Sequence, residues 1–266
     1  MGISIQDVLF AFVGGLALFL FGLRFMSDAL QAAAGDRMRV ILEKGTKNPV
    51  RGVLTGTLVT ALIQSSSATT VLTVGLVNAQ LLTLRQAIGV IMGANIGTTI
   101  TAYLIGFNLQ DYVFPIIAIG AVTFMFAKNK RNQSIGQAIL GFGILFFGLT
   151  IMGDGMKPLK DLAFFTDFMV SVENNPILGV LIGAVFTFIV QSSSATIGVL
   201  QELANQGAVT YAQAVPILFG DNIGTTVTAL LAAIGASVAA RRTALTHFIF
   251  NVVGTLIFLP LFMVGL

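Results

Sequence analysis

The sequence predicts an all-α integral membrane protein built from two inverted-topology repeats, each with three transmembrane helices and one re-entrant helical hairpin. Three observations predict it. Of 266 residues, 56% are hydrophobic and only 9% are charged, against about 25% charged in soluble domains. Two polar motifs recur along the chain at one fixed offset. The lysines and arginines sort unevenly between the ends of the apolar segments.

Composition excludes several function classes at once. A chain this apolar cannot bury its surface in one water-soluble core, so a cytosolic enzyme is excluded. There are no cysteines, which removes disulfides, iron–sulfur clusters and thiolate zinc sites. The single histidine, His247, removes a multi-histidine metal site. No basic region precedes the first apolar stretch, so no cleavable signal peptide is expected. Tryptophan is absent and tyrosine numbers three, so an aromatic belt contributes little.

The repeat is read from identities. Gln64-Ser65-Ser66-Ser67-Ala68-Thr69 recurs as Gln191-Ser192-Ser193-Ser194-Ala195-Thr196, an offset of 127. Asn95-Ile96-Gly97-Thr98-Thr99 recurs as Asn222-Ile223-Gly224-Thr225-Thr226, and Asn48-Pro49 as Asn175-Pro176, at the same offset. Phe21-Gly22 and Asp28 match Phe147-Gly148 and Asp154 at 126. The expected halves are residues 1–131 and 132–266.

Each half reads in the same order. A long apolar segment (8–33; 135–156) is followed by a mixed, charged one (35–48; 157–175), expected to be an interfacial helix. An apolar stretch carrying the serine run follows (50–82; 176–206). Two further apolar segments close the half (85–106 and 112–128; 210–236 and 243–264). The arms on either side of each serine run hold about 14 residues, too few for the roughly 20 that a spanning helix needs.

Positive charge, which collects on the cytoplasmic side, decides between a hairpin and a crossing. If both serine-bearing stretches turn back, one face receives 11 Lys and Arg residues and the other only Lys157 and Lys160. If both cross, the split is 9 to 4. Arg24, inside the first segment, is left out of both counts. The hairpin arrangement gives six crossings, antiparallel repeats, and both termini on the extracytoplasmic side.

Inverted repeats with broken helices are the pattern of secondary transporters. Non-helical backbone inside a bilayer is tolerated only where it is buried in protein or lines a cavity. Ser66 or Ser67, and Ser193 or Ser194, are suitable N-caps for the second arm of each hairpin. Free amides and hydroxyls at a helix N-terminus suit an anion, and an oxyanion such as phosphate has oxygens enough for both breaks. The competing reading is close helix packing by small residues.

In the second motif, Asn95, Thr98 and Thr99 share one helical face. Gly97 and Gly224 are placed to loosen the backbone and free carbonyls. Such oxygens suit a hard cation, sodium among them; a polar clamp between helices is the alternative. Asp221 stands where the first half has Ala94. A carboxylate inside a membrane segment is a functional candidate, as a cation ligand or a proton carrier. Arg24 is expected to pair with Asp28 or to snorkel, and His247 to be a hydrogen-bonded packing residue. No Lys or Arg adjoins either serine run, so a bound anion needs a cation beside it.

At these residues the sequence resembles the type II sodium–phosphate cotransporters, through the paired Gln-Ser-Ser-Ser and Asn-Ile-Gly-Thr-Thr motifs. The Phe-Leu-Phe-Gly opening, Phe19 to Gly22, and the Asn-Pro steps resemble their bacterial relatives. The resemblance covers nearly the whole chain. It implies sodium-driven symport of inorganic phosphate across the plasma membrane, by a multi-pass protein that is not an enzyme. Carried over by motif, it implies that Ser65, Ser66, Ser67, Ser192, Ser193 and Ser194 hold phosphate. It implies sodium or neighbouring roles for Gln64, Gln191, Asn95, Thr98, Asn222 and Thr225, and the intramembrane Asp221 joins them as a sodium candidate. The expected partners are phosphate, sodium ions and the lipid bilayer, with no organic cofactor and no nucleic acid. Oligomeric state stays open.

The chain departs from its longer relatives. Only Lys128 to Arg131 mark the joint where vertebrate members carry a large loop. Regulation through the soluble domain of many bacterial members is not expected. The alternative functions are cation-coupled carriage of another oxyanion, and a non-transporting phosphate sensor or scaffold.

Overall fold

The computed structural model describes residues 5–35, 37–107 and 109–265. The chain ends, expected on the extracytoplasmic side, lie outside the described residues. All regular structure among the described residues is helical: α1 (Ile5–Ala34), α2 (Arg37–Gly45), α3 (Pro49–Ile63), α4 (Ser66–Asn78), α5 (Leu84–Ile105), α6 (Val113–Phe126), α7 (Lys130–Met156), α8 (Ala163–Asn174), α9 (Pro176–Val190), α10 (Ser193–Asn205), α11 (Tyr211–Gly224), α12 (Val227–Ala232) and α13 (Val238–Met263), with 3-10 turns at Gln110–Tyr112 and Lys157–Asp161.

By length and hydropathy, five helical segments among the described residues suffice to cross a membrane: Gln6–Ala34, Leu84–Ile105, Lys130–Asp161, Tyr211–Ala232 and Val238–Met263. The sixth expected crossing, 112–128, is shorter than predicted. Its helix α6 has 14 residues and rises about 21 Å, against a hydrocarbon core of about 30 Å. Asn129, whose side chain caps α7 at Asn132 N, 2.7 Å, starts the next helix and so limits how far α6 can extend. The expected interfacial segments fold as the nine-residue α2, with an Arg39–Glu43 pair at 2.7 Å, and as the 3-10 turn followed by α8. Arg24 and Asp28 are both exposed, and no ion pair joins them.

The chain forms two compact units, each assembled from both halves of the sequence. Of the described residues, the first holds 5–35, 103–107, 109–171 and 197–214. Within it α1 packs on α7 through glycines. A side chain at Gly15 would strike Gly148 and Met152, and one at Gly22 would strike Gly141 and Leu145. The pairs are reciprocal, since Gly148 faces Gly15 and Gly141 faces Gly22. As the number rises along α1 it falls along α7, so the two helices run antiparallel. Phe19, midway between Gly15 and Gly22 in sequence, is fully buried and turns its ring to Gly198 of α10.

Of the described residues, the second unit holds 37–102, 172–196 and 215–265. Here α3 lies against α5, and α9 against α11, each pair in one constant register. Gly89 meets Pro49 O, Gly93 meets Val53 O, and Gly97 meets Thr57 O. In the other half Gly220 meets Val180 O and Gly224 meets Ala184 O. Numbers rise together in both pairs, so α3 and α5 are parallel, as are α9 and α11. A chain that leaves α3 and re-enters α5 in the same direction has turned back in between, along α4. Gly97 therefore serves close packing inside an unbroken α5 and does not loosen it.

Candidate functional site

All thirteen residues singled out from the sequence lie in the second compact unit. The two serine-run breaks are built alike. Asn48 caps α3, its Oδ1 accepting from Arg51 N at 2.9 Å, and Pro49 opens the helix where no amide is needed. The helix ends on Gln64 in the left-handed region, φ 55° and ψ 34°. At the second break Gln191 adopts φ 55° and ψ 30°. That position usually belongs to glycine, and a glutamine held there stores strain that packing must offset. Two glutamines in one strained conformation at equivalent positions make the break a built feature.

The residue after each glutamine caps the returning arm. Ser65 is extended, φ −151°, and its Oγ accepts from Ala68 N at 3.1 Å. Ser192 Oγ accepts from Ala195 N at 3.3 Å. This corrects the expectation that Ser66 or Ser67, and Ser193 or Ser194, would be the caps. The left-handed glutamine turns the chain one residue earlier, so Ser66 and Ser193 are already the first helical residues. Their amides, with those of Ser67 and Ser194, have no carbonyl within the helix to bond. Each arm thus opens on two free N–H groups carried by serines. Ser66, Ser193 and Ser194 are buried, while Ser65, Ser67 and Ser192 are partly exposed.

A hydroxyl pair pins the arms at each break. Thr60 Oγ1 donates to Thr69 Oγ1 at 2.9 Å. One continuous helix would hold residues nine apart roughly 13 Å apart along its axis, so the chain folds back on itself here. Thr187 and Thr196, at the same repeat positions, lie 2.6 Å apart. Sequence reasoning missed both pairs, although all four threonines obey the 127 offset.

The two breaks then diverge. Asp221 is buried, and its Oδ1 accepts from Thr187 Oγ1 at 2.8 Å. In the first half Ala94 offers no acceptor; Thr69 Oγ1 donates to Ser65 O at 3.1 Å, and Thr196 Oγ1 likewise lies 3.5 Å from Ser192 O. Gln64 is buried with its Oε1 unpartnered and its Nε2 donating to Ala61 O, whereas Gln191 is exposed. An unpartnered buried carbonyl oxygen is costly and is the donor type a hard cation takes.

The other candidates are less closely gathered. Thr225 Oγ1 donates to Asp221 O at 2.9 Å, so that carbonyl is taken by its own helix. The helix tightens there, with Thr226 N bonding Ile223 O. Asn222 is exposed. Thr98 Oγ1 donates to Ala94 O at 3.1 Å. Asn95 turns to α13, its Nδ2 donating to Asn251 Oδ1 at 3.0 Å and its Oδ1 lying 3.4 Å from His247 Nε2. His247 is thus a buried, hydrogen-bonded residue, as expected. Asn251 was not foreseen; its position one turn after the only histidine was the available signal. Among the described residues no group of three His, Cys, Asp or Glu side chains is placed to hold a metal ion.

The chain matches the family described as Na+/Pi-cotransporter over residues 18–154 and 155–265. It is 33% identical to "Uncharacterized protein YqeW" of Bacillus subtilis (strain 168), over 95% of this chain and 82% of that one. It is 30% identical to YjbB of Escherichia coli (strain K12), a protein named for inorganic phosphate export, over 93% of this chain and 46% of that one. It is 25% identical to sodium-dependent phosphate transport protein 2B of Homo sapiens, over 94% of this chain and 58% of that one. The chain therefore spans about half the length of the two relatives whose names mention phosphate. No solved structure matches it.

Proposed function

Because the chain belongs to the Na+/Pi-cotransporter family, we propose that it carries inorganic phosphate across the plasma membrane in symport with sodium, by alternating access. One observation carries this reading above the others: two serine-capped helix N-termini, built alike, in a single compact unit. Each presents two free amides and serine hydroxyls, the chemistry that suits a multi-oxygen anion. Ser65, Ser66, Ser67, Ser192, Ser193 and Ser194 hold phosphate in this reading.

Neither break has a lysine or arginine beside it, so the anion's charge is balanced by cations. Gln64 Oε1 and the Asp221 carboxylate are the foremost oxygen donors for sodium. Gln191, Asn95, Thr98, Asn222 and Thr225 complete the candidate set. Coupling follows from charge, since phosphate binds well only once sodium is in place. The antiparallel α1/α7 pair and the parallel α3/α5 and α9/α11 pairs support inverted repeats with re-entrant hairpins. The direction of net flux follows the gradients, which is compatible with relatives named for export and for sodium-dependent transport alike.

The test is labelled-phosphate uptake by proteoliposomes of the purified chain, under an inward sodium gradient and a matched potassium gradient. Uptake with sodium alone is the expected result. Uptake that follows pH and ignores sodium would replace the reading with a proton-coupled one. Binding without uptake would replace it with a sensor.

A further inference from the structure

A second acidic group lies apart from the serine breaks, in the first compact unit. Glu202, in the last turn of α10, is 7% exposed. It lines a cavity of about 300 Å³ with Asn205, Gln206, Gln110 and Thr150. Its repeat mate at the 127 offset is Gly75, so the carboxylate belongs to the second half alone. Room for it is made by Gly153 of α7, where any Cβ would collide with Glu202 Oε1.

Among the described residues no basic side chain forms an ion pair with this carboxylate. Gln206 Nε2 donates to Oε1 at 2.6 Å, an amide contact without charge. Lys157 lies within electrostatic range of Glu202, but its ammonium bonds Asp154 at 2.6 Å in an exposed pair and makes no direct contact with Glu202. The helix end adds to the cost. A C-terminus carries partial negative charge that repels a carboxylate, and the last turn of α10 holds no basic residue. A buried anion at the unfavourable end of a helix, facing a polar cavity, is a position where a counter-charge would be stabilising.

We propose that the cavity at Glu202 is a binding site for a hard monovalent cation, sodium in the coupled reaction, held by the Glu202 carboxylate with oxygens of Asn205, Gln110 and Thr150. The lining comes from the end of α5, the turn before α6, the outer part of α7 and the end of α10. The lysine and arginine count puts every one of these on the extracytoplasmic side. The cavity is then where sodium first docks from outside. The ion's identity as the coupling ion rests on the proposed symport; the existence of the cation site does not.

The experiment uses the full chain, which has no native cysteine, with Asn205→Cys as a probe. Cationic and anionic membrane-impermeant methanethiosulfonate reagents are applied in sodium and in choline. The cationic reagent is expected to react faster in choline, and sodium to slow it. Glu202→Gln added to Asn205→Cys should abolish both the charge preference and the sodium protection, while Glu202→Asp retains both. In uptake, Glu202→Gln should raise the sodium concentration for half-maximal rate about tenfold, the scale of one lost charge-assisted contact, with the maximal rate retained. Equal labelling in sodium and choline, or Glu202→Gln labelling like the parent, overturns the site. If the unaltered chain moves no phosphate, the transport reading falls, and the labelling still decides whether the cavity takes a cation.

Discussion

Thr187 donates its hydroxyl hydrogen to Asp221 Oδ1 at 2.8 Å, a contact the first half lacks because Ala94 stands at the equivalent position. A hydroxyl has one hydrogen to give. Thr187 gives its hydrogen to Asp221, while Thr196 Oγ1 lies 2.6 Å from Thr187 Oγ1 and 3.5 Å from Ser192 O. In the first half Thr60 donates to Thr69, and Thr69 to Ser65 O at 3.1 Å. The duplicated framework is thus polarised toward a carboxylate in one half only. The two breaks have similar backbones and different electrostatics.

Asp221→Asn tests that asymmetry. The amide Oδ1 still accepts from Thr187, so the fold is retained while the charge is lost. Sodium activation of phosphate uptake is expected to weaken about tenfold or more, in line with loss of a charged ligand in a low-dielectric site. Thr187→Val should weaken it by a smaller factor, because Asp221 keeps its charge and loses one donor. Unchanged sodium activation in Asp221→Asn would return the carboxylate to a structural role.

The serines separate into two roles by position. Ser65→Ala removes a cap and should cost about 1 kcal/mol of stability along with phosphate affinity. Ser66→Ala leaves the cap intact and should cost phosphate affinity alone. Thermal denaturation in detergent, paired with the phosphate concentration for half-maximal uptake, reads both. Equal loss of stability in the two variants would contradict the observed cap register.

Much of this arrangement was legible in the sequence, and the rest had physical reasons to be hidden. The 127 offset exposed the two breaks because it rests on identities. The threonine pairs share that offset, yet a threonine in an apolar segment reads as packing until the chain is known to turn back. The cap register was misjudged by one residue because a left-handed glutamine carries no sequence signal. Asn95 finds Asn251 across 156 residues, a distance that local pattern does not bridge. Glu202 was overlooked although it follows the rule that marked Asp221, an acid in an apolar arm with a small residue as its repeat mate.

The parallel helix pairs depend on close backbone approach. Gly93→Ala would place a methyl group against Val53 O and Thr57 N, both backbone atoms that cannot yield by a rotamer change. A loss of about 1–3 kcal/mol is expected, the usual cost of overpacking, and Gly220→Ala should lose a similar amount. Gly75, with nothing within 4 Å of a built Cβ, is the control, where alanine should be neutral or stabilising by up to about 1 kcal/mol. Melting temperatures in detergent decide the case. Equal effects at Gly75 and Gly93 would mean that α3 and α5 do not pack in the observed register.

The direction of α5 relative to α3 also fixes which loops share a side of the membrane. Had α3 and α4 together crossed the bilayer, α5 would start from the far face and run against α3. The constant spacing of Gly89, Gly93 and Gly97 against Pro49, Val53 and Thr57 makes them parallel, so both start from one face. Lys44 at the end of α2 and Lys47 in the loop before α3 then lie on the same side as Arg85. If α5 and the short α6 both cross, as the hairpin arrangement expects, the Lys128–Arg131 cluster would lie there as well. After α7, Lys157 and Lys160 fall on the opposite side. In a chain without cysteine, Lys130→Cys should label with an impermeant thiol reagent only from the cytoplasmic face, and Lys160→Cys only from outside. Labelling of both from one face would require α7 not to cross, against its 27 residues and apolar character. The reverse pattern would invert the whole chain and put the Glu202 cavity on the cytoplasmic side.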